Sequence, residues 1–306
     1  MTRNAALTLA CVIAAAMSGC AAQPLETAAS SSRCSPARPF AAGGERATLW
    51  VRQSAEFRAA SEIIYRAAAL ALAENLADRA LSAEPAQQSG HEGLPPAVVM
   101  DIDDTVLDNS APQARMILEA TCPPEFEAVW DAWVAERAAP AVPGAVEFIR
   151  AAREMKDALG RPVRVVFITN RECSKRAGDA AACPQKEDTL ANLRALGLDA
   201  PTLAEDLMLK GERREWVSEK EARRLAVARG YRIVLNVGDD FGDFLPGVRR
   251  QSPAERERAR CAHRDWWGTR WFMIPNPMYG SWQVVLGPDL EAALALPPAA
   301  EDCPGS

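Results

Sequence analysis

The chain has 306 residues, of which 48% are hydrophobic and 25% charged, and its formal net charge is -6. This length allows one large domain or two small ones with a buried core, and the composition is that of an ordinary globular protein. The charge is negative and the sequence has no basic stripe, so nucleic acid is not expected as a partner.

The N-terminus has the pattern of an export signal. One positive charge, Arg3, precedes a mostly apolar run at residues 5–16, which is too short to cross a bilayer. A serine and a glycine then precede Cys20, and this ending resembles the lipobox of bacterial lipoproteins. We therefore expect residues 1–19 to be a signal peptide and Cys20 to carry lipid, with a plain signal peptide cut elsewhere as the alternative.

The residues after this cysteine indicate a location. The lipoprotein resemblance implies an exported protein that is held at a membrane by its lipid. Ala21, and not an aspartate, follows the cysteine, which favours the outer membrane if the host is Gram-negative. Residues 20–46 are rich in Ala, Ser, Pro and Gly and indicate a flexible tether between the lipid and the folded domain.

The cysteine count suits an exported protein. Eight cysteines occur in the sequence, and six remain once Cys11 in the signal and the lipidated Cys20 are set aside. Cys173 and Cys183 are the nearest pair and are predicted to form a disulfide, whereas six cysteines allow about 15 pairings in all and leave the others open. No spacing typical of a zinc site occurs.

The rest of the chain alternates between predicted helices and short predicted strands. Helical periodicity covers residues 49–80 as one or two helices, residues 111–138 around a Cys-Pro-Pro break, and then residues 146–155, 187–196 and 218–229. Short apolar runs predict strands at residues 97–100, 163–168, 207–209 and 233–237, with a further apolar run at 271–274. This alternation is typical of an α/β fold with a mostly parallel sheet and helices on both faces.

Polar residues follow these strands, at the edge where such sheets carry their functional groups. The motifs are Asp101-Ile102-Asp103-Asp104-Thr105, Thr169-Asn170-Arg171, Lys220 on the helix after the third strand, and Gly238-Asp239-Asp240-Phe241-Gly242-Asp243. The carboxyl ends of parallel strands share one edge of the sheet. The four motifs are therefore predicted to converge.

The residue types in these motifs indicate phosphoryl chemistry. Clustered carboxylates need a cation, and hard oxygen ligands suit Mg²⁺. A carboxylate can attack phosphorus and form an aspartyl-phosphate, while a metal ion and an ammonium group offset the repulsion between two anions. A second carboxylate two residues on can protonate the leaving oxygen and then activate water.

The ordered motifs resemble those of the haloacid dehalogenase (HAD) superfamily, and more narrowly the class C bacterial acid phosphatases of the lipoprotein-e type. The likeness extends to LWVRQSAEF at 49–57, WDAWVAERAAPAVPGAVEF at 130–148 and IPNPMYGSW at 274–282. It implies a three-layer, Rossmann-like core with a mostly parallel sheet and a small helical domain.

The same resemblance implies domain limits. The phosphatase domain is expected to cover residues 47–300, and its small helical part to come from about residues 47–83 and 110–143. The resemblance is compatible with a homodimer, although the sequence shows no apolar face that would require one.

The resemblance implies a role for each catalytic match. Asp101 would be the nucleophile, and Asp103 the general acid and base. Thr169 would hold the phosphoryl group, and Lys220 would neutralise its charge. Lys210, at the end of the third strand, is the alternative to Lys220.

Metal and substrate contacts are implied in the same way. Mg²⁺ would bind Asp101, the backbone carbonyl of Asp103, and Asp239, with Asp243 supporting the ion directly or through water. The substrate would be held by three residues: Trp130, Asn170 and Tyr279. For Trp130 a place in the core is an equal alternative, and Arg171 is open between touching phosphate and orienting its loop.

The expected function is that of an exported, lipid-anchored, Mg²⁺-dependent acid phosphatase. Its substrates would be small phosphomonoesters, including nucleoside 5′-monophosphates and aryl phosphates. Two alternatives stay open at this point. One is phosphotransfer to an alcohol acceptor on the same scaffold, and the other is a non-enzymatic ligand-binding lipoprotein.

Overall fold

The computed structural model describes residues 44–121, 125–287, 289–295 and 303. The helices in these residues are α1 (Glu45–Gln53), α2 (Ala55–Ala77), α3 (Ser110–Glu119), α4 (Phe126–Glu136), α5 (Ala145–Glu154), α6 (Pro184–Ala195), α7 (Leu203–Asp206), α8 (Glu221–Ala228), α9 (Pro253–Ala262), α10 (Ser281–Val284) and α11 (Leu290–Leu294). The strands are β1 (Pro96–Met100), β2 (Arg164–Glu172), β3 (Leu207–Lys210), β4 (Arg232–Gly238) and β5 (Trp271–Met273).

Several sequence predictions fall outside the described residues. These are the signal peptide at 1–19, the lipidated Cys20, most of the tether at 20–46, and the cysteines Cys34 and Cys122. In the part of the chain that the structure describes, no helix is both long and apolar enough to cross a membrane.

The five strands form one parallel sheet in the order β3-β2-β1-β4-β5. All residues of β1 and β4 are buried, because helices cover both faces of the sheet and continuous apolar strands fit that environment. The four predicted strands are confirmed, and the apolar run at 271–274 supplies the fifth strand, at one edge.

Alternate residues of β1 pack into different halves of the core. Val98 and Met100 lie in the half that contains α2 and α5, while Ala97 and Val99 lie in the half that contains Val227 of α8. The sheet is thus the middle layer of three. This arrangement confirms the predicted α/β class.

Helices α1, α3 and α4 form the smaller helical part, in which α3 contacts both of the others. The helical segment predicted over 111–138 with a break forms two helices, α3 and α4, and Ala120 in the left-handed conformation ends α3. The long helix α2 begins at Ser54, whose side chain accepts a hydrogen bond from the Phe57 backbone N–H. It also contacts β4 and β5, so it belongs to the sheet packing as well.

Two disulfides lie in the described residues. The predicted bond between Cys173 and Cys183 is present and joins the chain just after β2 to the residue before α6. The second bond, which the sequence left open, joins Cys261 of α9 to Cys303. Both fit an exported protein.

Candidate active site

Asp101 and Lys220 meet at the carboxyl end of the central strand. Asp101 directly follows β1, and its backbone N–H donates to the carbonyl of Val237 in β4 at 3.0 Å. The Nζ atom of Lys220 lies 2.5 Å from Oδ1 of Asp101 and 2.7 Å from Oδ1 of Asp243. Lys220 immediately precedes α8, so the helix begins three residues later than predicted. The lysine is buried.

Three carboxylates crowd this position. Asp101, Asp239 and Asp243 each offer an oxygen, and these oxygens lie within 4.8 Å of one another. Burial, followed by repulsion from the other two carboxylates, raises the pKa of Asp239 well above its usual value. Burial also raises the pKa of Asp101 to about 6, although Lys220 opposes this change.

The cluster fits a divalent metal ion. Its donors are hard oxygens, as Mg²⁺ and similar ions prefer. The three carboxylates share the Lys220 ammonium group, and the Arg249 guanidinium approaches Asp243 only at 4.0 Å. This leaves negative charge that a divalent cation would balance. Burial by itself would lower the pKa of Lys220, but the charges of Asp101 and Asp243 reverse this effect and the pKa is raised. Lys220 is therefore a cation at neutral pH.

Neighbouring side chains hold Asp239 in place. Its two carboxylate oxygens accept hydrogen bonds from the Thr105 hydroxyl at 3.1 Å and from the Asn276 amide at 2.8 Å. Sequence reasoning gave neither residue a role. Thr105 belongs to the first motif, and Asn276 lies in the IPNPMYGSW segment, so a signal existed for both.

Asp243 is fixed by its own loop. Its Oδ2 accepts a hydrogen bond from the Asp240 backbone N–H at 3.0 Å, within the short helix Phe241–Asp243. A Cβ atom on Gly238 would lie 2.4 Å from that same oxygen. Only glycine leaves room there for the carboxylate. Asp240 does not join the cluster in the described residues, since it accepts from Ser281 and pairs with Arg249 at 3.4 Å.

The carboxylate of Asp103 is separate from the three-carboxylate cluster. Its Oδ1 lies 2.8 Å from Nη2 of Arg171 and accepts from the Asn109 amide at 3.0 Å. Its Oδ2 accepts from the Thr169 hydroxyl at 3.0 Å. The structure thus shows that the side chain of Arg171 forms a salt bridge with Asp103.

The carboxyl-terminal end of β2 is fixed by hydrogen bonds within the chain. Thr169 is fully buried, and its hydroxyl is directed toward Asp103. The Asn170 amide donates to the carbonyl of Ser218 at 3.0 Å, and its oxygen accepts from Arg223 at 2.7 Å. Asn170 lines the cleft, but both ends of its amide bind the chain itself, which suits a role in shaping the cleft wall.

Asp104 links the first motif to Tyr279. Asp104 has a φ of 55°, a left-handed conformation that is uncommon for a residue other than glycine. Its carboxylate accepts from the backbone N–H of Asn109 at 3.0 Å and from the Tyr279 hydroxyl. Burial raises the pKa of Asp104 to about 8. This contact holds the Tyr279 ring at the edge of the cleft.

A cleft of about 580 Å³ opens above the carboxylates, a size common for small-molecule sites. Trp130 and Tyr279 both line it, and the Trp130 ring stacks on Phe126 with centroids 6.2 Å apart. Lys210 also lines the cleft, but its Nζ pairs with Glu172 at 2.5 Å and is one-third exposed. Lys220, and not Lys210, is the lysine that touches the carboxylates.

Two comparisons with known proteins agree with this geometry. A family model described as the HAD superfamily, subfamily IIIB (acid phosphatase), matches residues 25–282. The chain is also similar to a crystal structure of the class C acid phosphatase from Bacillus anthracis with tungstate bound, at 27% identity and a TM-score of 0.64, over 82% of this chain and 90% of that one. A second structure of the class C acid phosphatase from this organism matches at 27% identity and a TM-score of 0.63, over 81% and 89% of the two chains.

Proposed function

The chain belongs to subfamily IIIB of the HAD superfamily, the acid phosphatases, and is a phosphomonoesterase; from this we propose that it hydrolyses phosphomonoesters through an aspartyl-phosphate on Asp101, with Mg²⁺ as its metal. One observation carries the proposal. Asp101 lies at the end of the central strand, 2.5 Å from a buried lysine and within 4.8 Å of two further carboxylates.

In the first step, an oxygen of Asp101 attacks the phosphorus of the ester. The bond between phosphorus and the leaving oxygen breaks, and Asp103, in its acid form, gives that oxygen a proton. Lys220 offsets part of the negative charge that gathers between Asp101 and the phosphoryl group. The hydroxyl of Thr169, which donates to Asp103 in the structure, would turn to donate to a phosphoryl oxygen.

In the second step, the carboxylate of Asp103 takes a proton from water. The water oxygen attacks phosphorus, the bond from phosphorus to Asp101 breaks, and inorganic phosphate leaves. Arg171, whose Nη2 lies 2.8 Å from Oδ1 of Asp103, holds this carboxylate in place for both roles.

Asp101, Asp239 and Asp243, with the backbone carbonyl of Asp103, would hold the Mg²⁺ ion. When bound, such an ion neutralises charge on the phosphoryl oxygens and orients them for attack. The oxygen donors and the negative charge of the cluster support this assignment. The side chains of Thr105 and Asn276 would keep Asp239 in place to hold the ion.

The cleft supports substrates with a flat ring. Trp130 and Tyr279 provide aromatic surface beside the carboxylates, on which a nucleobase or an aryl group can stack. Tungstate, bound by the related enzyme, is like phosphate an oxyanion. We therefore propose nucleoside 5′-monophosphates and aryl phosphates as substrates, hydrolysed at acidic pH.

The export signal and lipobox pattern support a location as well. We propose that residues 1–19 are removed, that Cys20 is lipidated, and that residues 20–46 tether the phosphatase domain to the outer membrane of a Gram-negative host. Mass spectrometry of the N-terminal peptide and membrane fractionation with Cys20→Ala test this. Sedimentation of the detergent-solubilised chain tests the homodimer.

The central test is phosphate release from 5′-AMP and p-nitrophenyl phosphate at acidic pH, with Mg²⁺ or with EDTA. We expect release only with the metal, and a loss of about 10⁴-fold or more in Asp101→Asn, as for removal of a covalent nucleophile. Asp108→Asn is the matched control. Asp108 lies in the same loop, and its carboxylate accepts a hydrogen bond from the Ser110 backbone N–H at 2.8 Å. Equal losses in both variants, or full activity in EDTA, would contradict the proposal. Substrate loss without matching phosphate release would indicate phosphotransfer.

A second test concerns the aromatic wall. Trp130→Ala should raise KM for 5′-AMP by about 10-fold, because stacking of a base on an aromatic ring contributes about 1–3 kcal/mol. It should leave KM for glycerol phosphate, which has no ring, unchanged. An equal rise for both substrates would place Trp130 in the core instead.

A further inference from the structure

Two consecutive arginines of α8, Arg223 and Arg224, are both fully buried at 0% exposure. Arg223 reaches the carboxyl-terminal end of β2, where it donates to the carbonyl of Thr169. Arg224 reaches the loop after β4, where its Nη1 donates to the carbonyl of Asp243 at 2.8 Å. One helix thus contacts both the end of β2 and the loop after β4, and each of these carries residues of the site.

Arg224 is itself held by an acid from a distant part of the chain. Its Nε donates to Glu84 at 2.7 Å, and both side chains are at most 2% exposed. Glu84 lies in the segment between α2 and β1, and it also accepts from the Ala86 backbone N–H at 3.2 Å. The Arg224 guanidinium is therefore a fixed hydrogen-bond donor to the backbone of the loop after β4.

The guanidinium lies directly beneath the carboxylate cluster. A cavity of about 10 Å³ is lined by Arg224 together with Asp101, Lys220 and Asp243. Such a volume is about that of a single water-sized probe. Because so little space separates these side chains, a shift of Arg224 would also move the cluster.

We infer that Arg224, fixed by Glu84, is a positioning residue for Asp243. Its hydrogen bond to the Asp243 carbonyl holds the short helix Phe241–Asp243, and so keeps the carboxylate of Asp243 beside Asp101 and Asp239. Residues behind metal ligands commonly govern metal affinity in this way. The inference rests on the metal site proposed above and adds to it two residues that touch neither metal nor substrate.

The same sheet offers a matched control. Arg232, at the start of β4, is also 0% exposed, and it donates to the carbonyls of Asn75, Asp78 and Leu81. It lies at the opposite end of the strand from the site. Replacing it should cost stability, as for any buried arginine, without moving the carboxylates.

The test compares Arg224→Lys with Arg232→Lys in the full chain in detergent. Each metal-free variant is titrated with MgCl2 by calorimetry and by the rise in Tm, and its activity is measured as a function of Mg²⁺ concentration. We expect Arg224→Lys to weaken Mg²⁺ binding and to raise the half-activating concentration by about 10-fold or more. Arg232→Lys should lower Tm and leave both values within about twofold of wild type.

A cycle with Glu84→Gln tests whether the pair acts as one unit. This change should also weaken Mg²⁺ binding, because it leaves a buried, unpaired cation beside the metal site. Combined with Arg224→Lys, it should add less than its own separate effect, as expected for residues in contact. Full additivity would show that Glu84 acts by another route.

Two failures can be told apart. If wild type and Arg232→Lys bind Mg²⁺ and Arg224→Lys binds it equally well, the positioning role is wrong and the proposed function stands. The same follows if both arginine variants weaken binding alike, since burial alone would then explain the effect. If wild type binds no Mg²⁺, the metal assignment fails and the positioning role with it.

Discussion

The carboxylates at the two ends of the parallel sheet have opposite electrostatic environments. At the carboxyl end, Asp101, Asp239 and Asp243 repel one another, and the pKa values of the first two are raised. At the other end, Asp157 precedes β2 and accepts hydrogen bonds from the Arg161 guanidinium at 2.8 and 2.6 Å and from two backbone N–H groups.

The pKa of Asp157 consequently moves the other way. Burial would raise it, but the Arg161 guanidinium and the backbone donors outweigh burial and lower it. At the Asp157 end of the sheet, contacts within the protein stabilise the ionised carboxylate. At the other end, the clustered carboxylates would need a bound cation to offset their repulsion. The carboxylate cluster thus lowers folding stability at the end of the sheet that is suited to binding a metal ion.

The largest expected effect separates the two candidate lysines. Lys220→Met should reduce kcat by about 10²–10⁴-fold, because the ammonium is buried between two carboxylates and no other described side chain occupies its place. Lys210→Met should change kcat by less than about threefold, since Lys210 makes a partly exposed pair with Glu172 that contributes little. Steady-state kinetics of both variants, with circular dichroism to check folding, would measure this. The opposite order would make Lys210 the catalytic lysine.

A smaller effect is expected at the opposite end of the sheet. Asp157→Asn should destabilise the protein at neutral pH by about 1.5 kcal/mol, the lower end for hydrogen bonds to charged groups, or about 3–6 °C in Tm. A lowered folded-state pKa gives stability that is present above the unfolded pKa and is lost as pH falls through the folded pKa. The deficit of the variant should therefore shrink in acid. Thermal melts of both proteins from neutral to strongly acidic pH would show it, and a deficit that is constant with pH would contradict the argument.

An Asp→Asn substitution in the carboxylate cluster should have the opposite effect on the stability of the metal-free protein. Without metal, Asp239→Asn removes one of three repelling carboxylates and should raise Tm by about 2–4 °C, that is by about 1 kcal/mol. With Mg²⁺ the order should invert, because wild type gains stability from bound metal and the variant gains less. Melts in EDTA and in MgCl2 would measure both values. A metal-free Asp239→Asn that melts below wild type would mean that the carboxylates are not in conflict.

Some of this contrast was readable in the sequence. The strands and the polar motifs after them predicted the parallel sheet and placed Asp101, Asp239 and Asp243 at one edge, because apolar periodicity records which segments are buried. The structure shows these carboxylates together, while the catalytic roles assigned to them stay predictions. The start of α8 was placed too early, since Ser218 and Glu219 are not helical.

The partners of those residues were not readable. Only the family resemblance favoured Lys220 over Lys210, and the path of the chain before α8 places Lys220 between two carboxylates. Asn276 reaches Asp239 across 37 residues, and Glu84 reaches Arg224 across 140. The sequence by itself determined which elements form and which motifs follow them, because local periodicity and turn chemistry act over a few residues. Only the tertiary structure decided which polar groups meet, because that depends on how the helices and loops pack around the sheet.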